Sequence, residues 1–161
     1  MRSPLTGNNR GFTLLEVVVV IVLMAIFAIL AVARQPQTDM TLRASVEVLK
    51  SHLRYAQMRA MSTDSGWGIE YNSAASNYWL FRQSDNQRIA LPGEAQTNVD
   101  LASGGVTIAP ANFRLIFDPR GRPDTSNSTL SFIARRATLT LSKAGESDQT
   151  VTIIENTGFV Q

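Results

Sequence analysis

From Val17 to Ala33 the chain runs without a charge through residues that are nearly all aliphatic, and Glu16 stands immediately ahead of that run. A stretch apolar on every side cannot lie by one face on a globular core, so it needs lipid or other protein all round it. As a helix, Val17–Ala33 is about 26 Å long at ~1.5 Å per residue. Adding Phe12–Glu16 gives a segment able to span a hydrocarbon core of ~30 Å. An ionisable side chain inside such a segment costs roughly 2.5–3.5 kcal/mol on insertion scales. Glu16 is therefore read as functional, and a buried carboxylate is tolerable only when it has a partner.

Residues 1–11, MRSPLTGNNRG, are polar, basic and turn-rich. Arg2 and Arg10 ahead of the apolar run predict a cytoplasmic N-terminus, with the rest of the chain beyond the inner membrane. A cleaved secretory signal peptide is one alternative, and Ala31-Val32-Ala33 fits its small-x-small site. A plain membrane anchor is another. Neither explains Glu16 or Gly11-Phe12.

Gly11-Phe12-Thr13-Leu14-Leu15-Glu16 with its apolar helix closely resembles the type III signal of type IV pilins and type II secretion pseudopilins. The resemblance implies cleavage after Gly11 by a prepilin peptidase and N-methylation of Phe12. It also implies that Glu16, at mature position five, pairs with the N-terminal amine of a neighbouring subunit. Many members carry proline at mature position 22, which is Ala33 here. The nearest proline is Pro36, so a kink or break is expected about three residues late.

From Thr41 the pattern becomes amphipathic. Leu42, Val46, Leu49, Leu53, Ala56 and Ala60 recur at alternating steps of four and three, which is one face of an α-helix. Thr38 or Asp39 is a candidate cap, and Ser62–Gly66 ends the helix. Leu53–Met61 resembles the "L-x-x-A-R-x-x-A" region of the H-type pseudopilin and related minor pilins, including minor prepilins of mannose-sensitive haemagglutinin-type pili.

After Gly66 the chain reads as strands. Trp67–Tyr71 and Tyr78–Arg82 suggest a hairpin, and Arg88–Leu91 a weaker strand before Pro92-Gly93. Glu94–Asn98 is read as loop. Val106–Ile108, Phe113–Phe117, Thr129–Ile133, Ala137–Ser142 and Thr150–Glu155 follow. Helix first and strands after argues for an α+β fold, with the helix on an antiparallel sheet of six to eight strands. Phe117-Asp118-Pro119-Arg120-Gly121 resembles the "F-x-P-x-G" element of the H-type pseudopilin head, and Thr157-Gly158-Phe159-Val160 its "x-G-x-V" terminal strand.

Catalytic chemistry is not suggested. His52 is the sole histidine and is read as a solvated helix residue, so no triad can be drawn. The chain has no cysteine, which removes disulfides and thiolate metal sites. Asp118 and Asp124 flank a turn, but calcium wants six to eight oxygens and this loop carries two arginines. No metal or cofactor is expected. Arg114, Arg120, Arg122, Arg135, Arg136 and Lys143 cluster in residues 110–145. A DNA-capture role through phosphates is kept as an alternative, although aromatic residues for stacking strands are not interleaved. Cleavage after Gly11 would remove Arg2 and Arg10, leaving 13 basic against 13 acidic side chains. That balance gives the mature chain no general attraction for polyanions.

The expected organisation is a pilin-like α+β chain. Residues 1–11 form a cleaved leader, 12–35 a transmembrane and filament-core helix, 36–64 an amphipathic helix and 65–161 a β-rich head. The expected function is that of a minor pilin or pseudopilin, a non-enzymatic filament subunit. Its expected partners are other subunits, the prepilin peptidase and the inner membrane. A major structural pilin is a further alternative, and an anchored enzyme a distant one.

Overall fold

The structure, a computed structural model, describes residues 14–33 and 42–161, with side chains of the first helix described for residues 14–26. Gly11, Phe12, the leader 1–11, the break at Pro36 and the caps Thr38 and Asp39 lie outside the described residues. Two units are distinct, residues 1–39 and residues 40–161.

In the first unit, helix α1 runs Leu14–Ala33. Leu, Val, Ile and Ala on all sides leave no solvated face, and every described side chain from Leu14 to Ile26 is exposed. Among the described residues no helix is long and apolar enough to cross a membrane.

The second unit is built on helix α2, Leu42–Thr63. All six residues of the predicted stripe are buried, from Leu42 to Ala60. Eight strands follow: β1 Trp67–Asn72, β2 Asn77–Arg82, β3 Arg88–Ile89, β4 Val99–Asp100, β5 Val106–Ala109, β6 Arg114–Phe117, β7 Arg136–Lys143 and β8 Gln149–Ile154. They form two antiparallel sheets rather than the single sheet expected. One has the order β3-β2-β1-β6, with β4 also on β2; the other is β5-β7-β8. The chain changes sheet three times, between β4 and β5, β5 and β6, and β6 and β7. Pro110 has no N–H to continue the β5 ladder, and Pro110–Asn112 carries the chain from one sheet to the other.

Inward positions alternate as the pleat requires. Ala137, Leu139 and Leu141 of β7, Val151 and Ile153 of β8, and Ile69, Leu80 and Leu115 of the larger sheet close on the α2 stripe as one core. Tyr71 ties the sheets together: its ring meets Phe113 at 5.6 Å, and its hydroxyl accepts the Ile108 N–H at 3.2 Å.

Two other strand expectations are corrected, and one short strand was not expected. Thr129–Ile133 is not a strand. Ser128 and Thr129, at its start, satisfy the free edge of β6 instead, with Arg114 N–H donating to Thr129 Oγ1 at 2.8 Å, Ile116 N–H to Ser128 Oγ at 3.0 Å and Thr129 N–H to the Arg114 carbonyl at 2.9 Å. Arg88–Leu91 shortens to Arg88–Ile89, because Pro92-Gly93 turns the chain away. Beyond the 94–98 loop, Val99–Asp100 pairs with Tyr78 and Asn77, a pairing too short to leave a periodic signal.

Candidate functional site

Glu16 lies in the first turn of α1 as described. With Val17, Val20 and Ile21 it borders an almost wholly apolar hollow on the helix surface. These four share one face by their spacing of one, four and five residues. The carboxylate is thus set among aliphatic side chains on a helix that has no polar side. The carboxylate itself is exposed here, so a cation would gain most only once neighbouring apolar surface covers it and excludes water.

The head supplies a second constellation on α2. Gln57 Nε2 donates to the Gly121 carbonyl at 2.7 Å and to the Thr157 carbonyl at 3.1 Å. One turn earlier, Arg54 donates to the Val160 carbonyl at 3.0 Å. The two elements Phe117–Gly121 and Thr157–Val160, distant in sequence, therefore meet on one helix face. Gly121 (φ +77°) and Gly158 (φ +66°) are both in the left-handed region. A Cβ on Gly158 would strike the Gly121 carbonyl oxygen, and one on Gly121 would stand 2.7 Å from Met61 Sδ. Asp118 closes the turn, accepting the N–H groups of Arg120 and Arg122 at 2.9 and 2.8 Å. Laid on Leu53, the pattern "L-x-x-A-R-x-x-A" places Gln57 where the pattern has arginine. Sequence reasoning quoted these elements but did not see that Gln57 joins them.

His52 is corrected outright. It is buried, not solvated. Its Nε2 faces the Pro92 carbonyl at 3.4 Å and its Nδ1 the Tyr78 hydroxyl at 2.8 Å. A carbonyl only accepts, so Nε2 carries the proton and Nδ1 accepts from Tyr78 O–H. Burial holds the imidazole below its ordinary value, against smaller opposing effects of Pro92 and Glu94. Burial likewise pushes the Tyr78 phenol up, with Glu94 adding to it. The signal was present: His52 is three residues after Leu49 and four before Ala56, at the margin of the apolar stripe.

The basic cluster is largely engaged. Arg114 lies 4.0 Å over the Phe81 ring and 3.6 Å from Glu70, Arg122 pairs with Asp118 at 3.2 Å, and Lys143 pairs with Glu146 at 3.5 Å. Asp124 accepts the N–H groups of Ser126 and Asn127 at its own turn. Among the described residues no cluster of three or more His, Cys, Asp or Glu is placed to hold a metal.

Residues 6–32 match the prokaryotic N-terminal methylation motif. Residues 45–158 match the family of the type II transport protein GspH. The chain belongs to the GspH family. Two solved structures share the GspH-like fold. The type IV minor pilin FimU of Pseudomonas aeruginosa is 18% identical, with 74% of this chain and 86% of FimU covered at a TM-score of 0.54. The minor pseudopilin EpsH of the Vibrio cholerae type 2 secretion system is 14% identical, with 74% and 93% covered at 0.53. A search of curated proteins returns no match. The α+β, pilin-like expectation is borne out by these neighbours. The GspH match also takes in most of α2, Gln57 and the two glycines Gly121 and Gly158.

Proposed function

We propose that this chain is a minor pilin or pseudopilin, a non-enzymatic structural subunit of a type II secretion or type IV pilus-like filament. The observation that carries the reading is the union in one chain of the methylation motif at residues 6–32 and a GspH head at residues 45–158. Prepilin peptidase cuts between Gly11 and Phe12, and the new amine of Phe12 is methylated. Before assembly, residues 12–33 span the inner membrane, with the N-terminus cytoplasmic and the head periplasmic. On assembly this helix leaves lipid for the filament core.

Glu16 supplies the electrostatic step. Its carboxylate meets the amine of a neighbouring Phe12 in a setting with little competing water, where an unpaired charge is costly and a paired one is not. Register is then checked by charge, while the aliphatic surface of α1 supplies the bulk of the association. The exposed apolar side chains from Leu14 to Ile26 are the surface such packing would bury.

Intact-mass measurement of the mature protein tests this. A chain starting at N-methyl-Phe12 is expected; one starting near Arg34 or Gln35 would replace the reading with a cleaved signal peptide. Glu16→Ala should insert in the membrane normally yet fail to enter filaments, and normal incorporation would remove the pairing role.

A further inference from the structure

β7 is longer than its neighbour on one side. β8 runs beside it from Arg136 to Leu141, but β5 covers only Thr140 to Lys143. Past that limit stands Ile133, which exchanges two main-chain hydrogen bonds with Arg136 at 2.9 and 3.0 Å. In an antiparallel ladder the main-chain groups of successive residues turn to opposite neighbours. Arg136 turns to Ile133 and Thr140 to Ala109, so Thr138 turns to the same side, while Ala137 and Leu139 turn to β8. Beyond Ala109 comes Pro110, and the β5 ladder stops. Thr138 is left with its N–H and C=O aimed at an edge where no described residue pairs with them.

The gap has a definite shape. A groove of about 420 Å³ lies there, lined by Pro110, Leu130, Ser131, Ile133, Arg136 and Thr138. Its floor at Leu130 is buried, and Ile133 on its rim is 78% exposed. Arg135 and Arg136 are exposed beside it, and no acid lines it. The turn presenting this rim puts Ala134 (φ +50°) and Arg135 (φ +64°) in the left-handed region. Two successive non-glycine residues there carry backbone strain. The same turn keeps Ile133 on Arg136 while Ser131 stands off from Thr138, so the groove stays open.

We propose that this edge takes an extended segment of a neighbouring filament subunit by strand addition. The segment's main chain pairs with Thr138, an apolar side chain of it sits between Leu130 and Ile133, and a carboxylate faces Arg135 or Arg136. Strand addition uses an unpaired peptide edge beside apolar pockets; here the open edge is the single residue Thr138 between Ile133 and Ala109, so one residue of the segment pairs there and the rest of it leaves the sheet line. The proposal rests on the filament reading above. Nucleic acid fits less well, since it would leave the Thr138 carbonyl unpaired and has no use for the Leu130 floor. A second copy of this chain, pairing edge to edge about a twofold axis at Thr138, would bring Arg136 with its paired Ile133 against the other copy's Thr140, where Ala109 already lies, and that collision disfavours it.

The test uses the full-length chain in cells that build the filament. A photoreactive benzoylphenylalanine replaces the exposed rim residue Ile133, which leaves the groove itself open, and adducts are mapped by mass spectrometry. Amide exchange at Thr138 is compared between isolated subunit and purified filament. We expect an adduct to an acidic, extended stretch of another subunit, and exchange slowed about tenfold or more, the scale of one modest hydrogen bond. Thr138→Pro removes the outward N–H but leaves the β8 ladder intact; Ser131→Trp fills the groove without touching any ladder. Both should melt like the unmodified protein, carry N-methyl-Phe12, and fall about tenfold in filament recovery. Recovery of either properly folded variant at the unmodified level, unchanged Thr138 exchange in filaments, or adducts only to nucleic acid, to a helix or to another copy of this chain would overturn the strand-addition proposal alone. Absence of the unmodified protein from filaments would overturn the filament reading and this proposal with it.

Discussion

Gln57 reaches Gly121 across 64 residues of sequence, its Nε2 placed 2.7 Å from the glycine carbonyl. With the 3.1 Å bond to Thr157, one side chain fastens two turns to α2. Gln57→Ala removes both donors and leaves two carbonyls to water or to nothing. A loss of about 1–3 kcal/mol is expected in urea unfolding. Gly158→Ala should lose more, since its new methyl meets the Gly121 carbonyl at a positive φ. A melt unchanged by Gly158→Ala would mean that the two turns are not in contact.

His52 gives the head a pH-dependent stability with a fixed sign. Burial lowers its folded-state pKa, so the unfolded chain binds the proton more readily. Stability from this group is complete above about pH 6.5, the ordinary imidazole value. It is lost as pH falls below that toward the depressed folded value. Tyr78 and Glu94 are the ionisable groups that bear on it. Paired melts of the wild type and His52→Gln between pH 7.5 and 5 should converge as the pH drops. Parallel curves would mean that His52 stays neutral throughout.

Glu146 caps α2 from 104 residues further along the chain. Its Oε2 accepts the Leu42 N–H at 3.2 Å, and its Oε1 pairs with Lys143 at 3.5 Å. An anion at a helix N-terminus is favoured by the exposed N–H groups and the dipole. Glu146→Ala should lower stability by about 1 kcal/mol, and Glu146→Gln by less. The difference should shrink at high salt; no difference at low salt would show that the cap has no electrostatic component.

Tyr71 joins the two sheets by one hydroxyl. Tyr71→Phe keeps the ring on Phe113 but strands the Ile108 N–H in the core. The expected loss is about 1–3 kcal/mol, with faster amide exchange across β5 than across β7. Uniform exchange in both strands would show that the hydroxyl does not couple the sheets.

The helical half of this architecture was legible because burial has a period. Leu42 to Ala60 repeat at helical spacing, and every one of them lies in the core. The hairpin of β1 and β2 was legible for the same reason, aromatic and aliphatic residues bounded by turn formers. What escaped depends on pairing rather than on periodicity. Thr129–Ile133 has strand composition, yet the hydroxyls just ahead of and at its start go to β6, and its main chain bonds only at its two ends, Thr129 to Arg114 and Ile133 to Arg136. Whether eight strands make one sheet or two depends on three crossings of the chain between sheets, and which strands pair across them is visible only once the neighbours are placed. His52 was misread because one polar residue on the margin of a stripe gives no periodic signal of the phenol and carbonyl that receive it. Gln57 had no local signal at all, since both its partners come from the last third of the chain.

Those long reaches bear on how the head is made. Arg54 and Gln57 leave the ribosome early, but their carbonyl partners at Val160 and Thr157 lie 106 and 100 residues later. The apolar stripe of α2 likewise waits for β7 and β8. Contacts so distant in sequence close slowly. During synthesis the apolar stripe of α2 therefore stays unshielded until the final segment emerges. The head closes late, and its last residues decide whether the early ones find their partners.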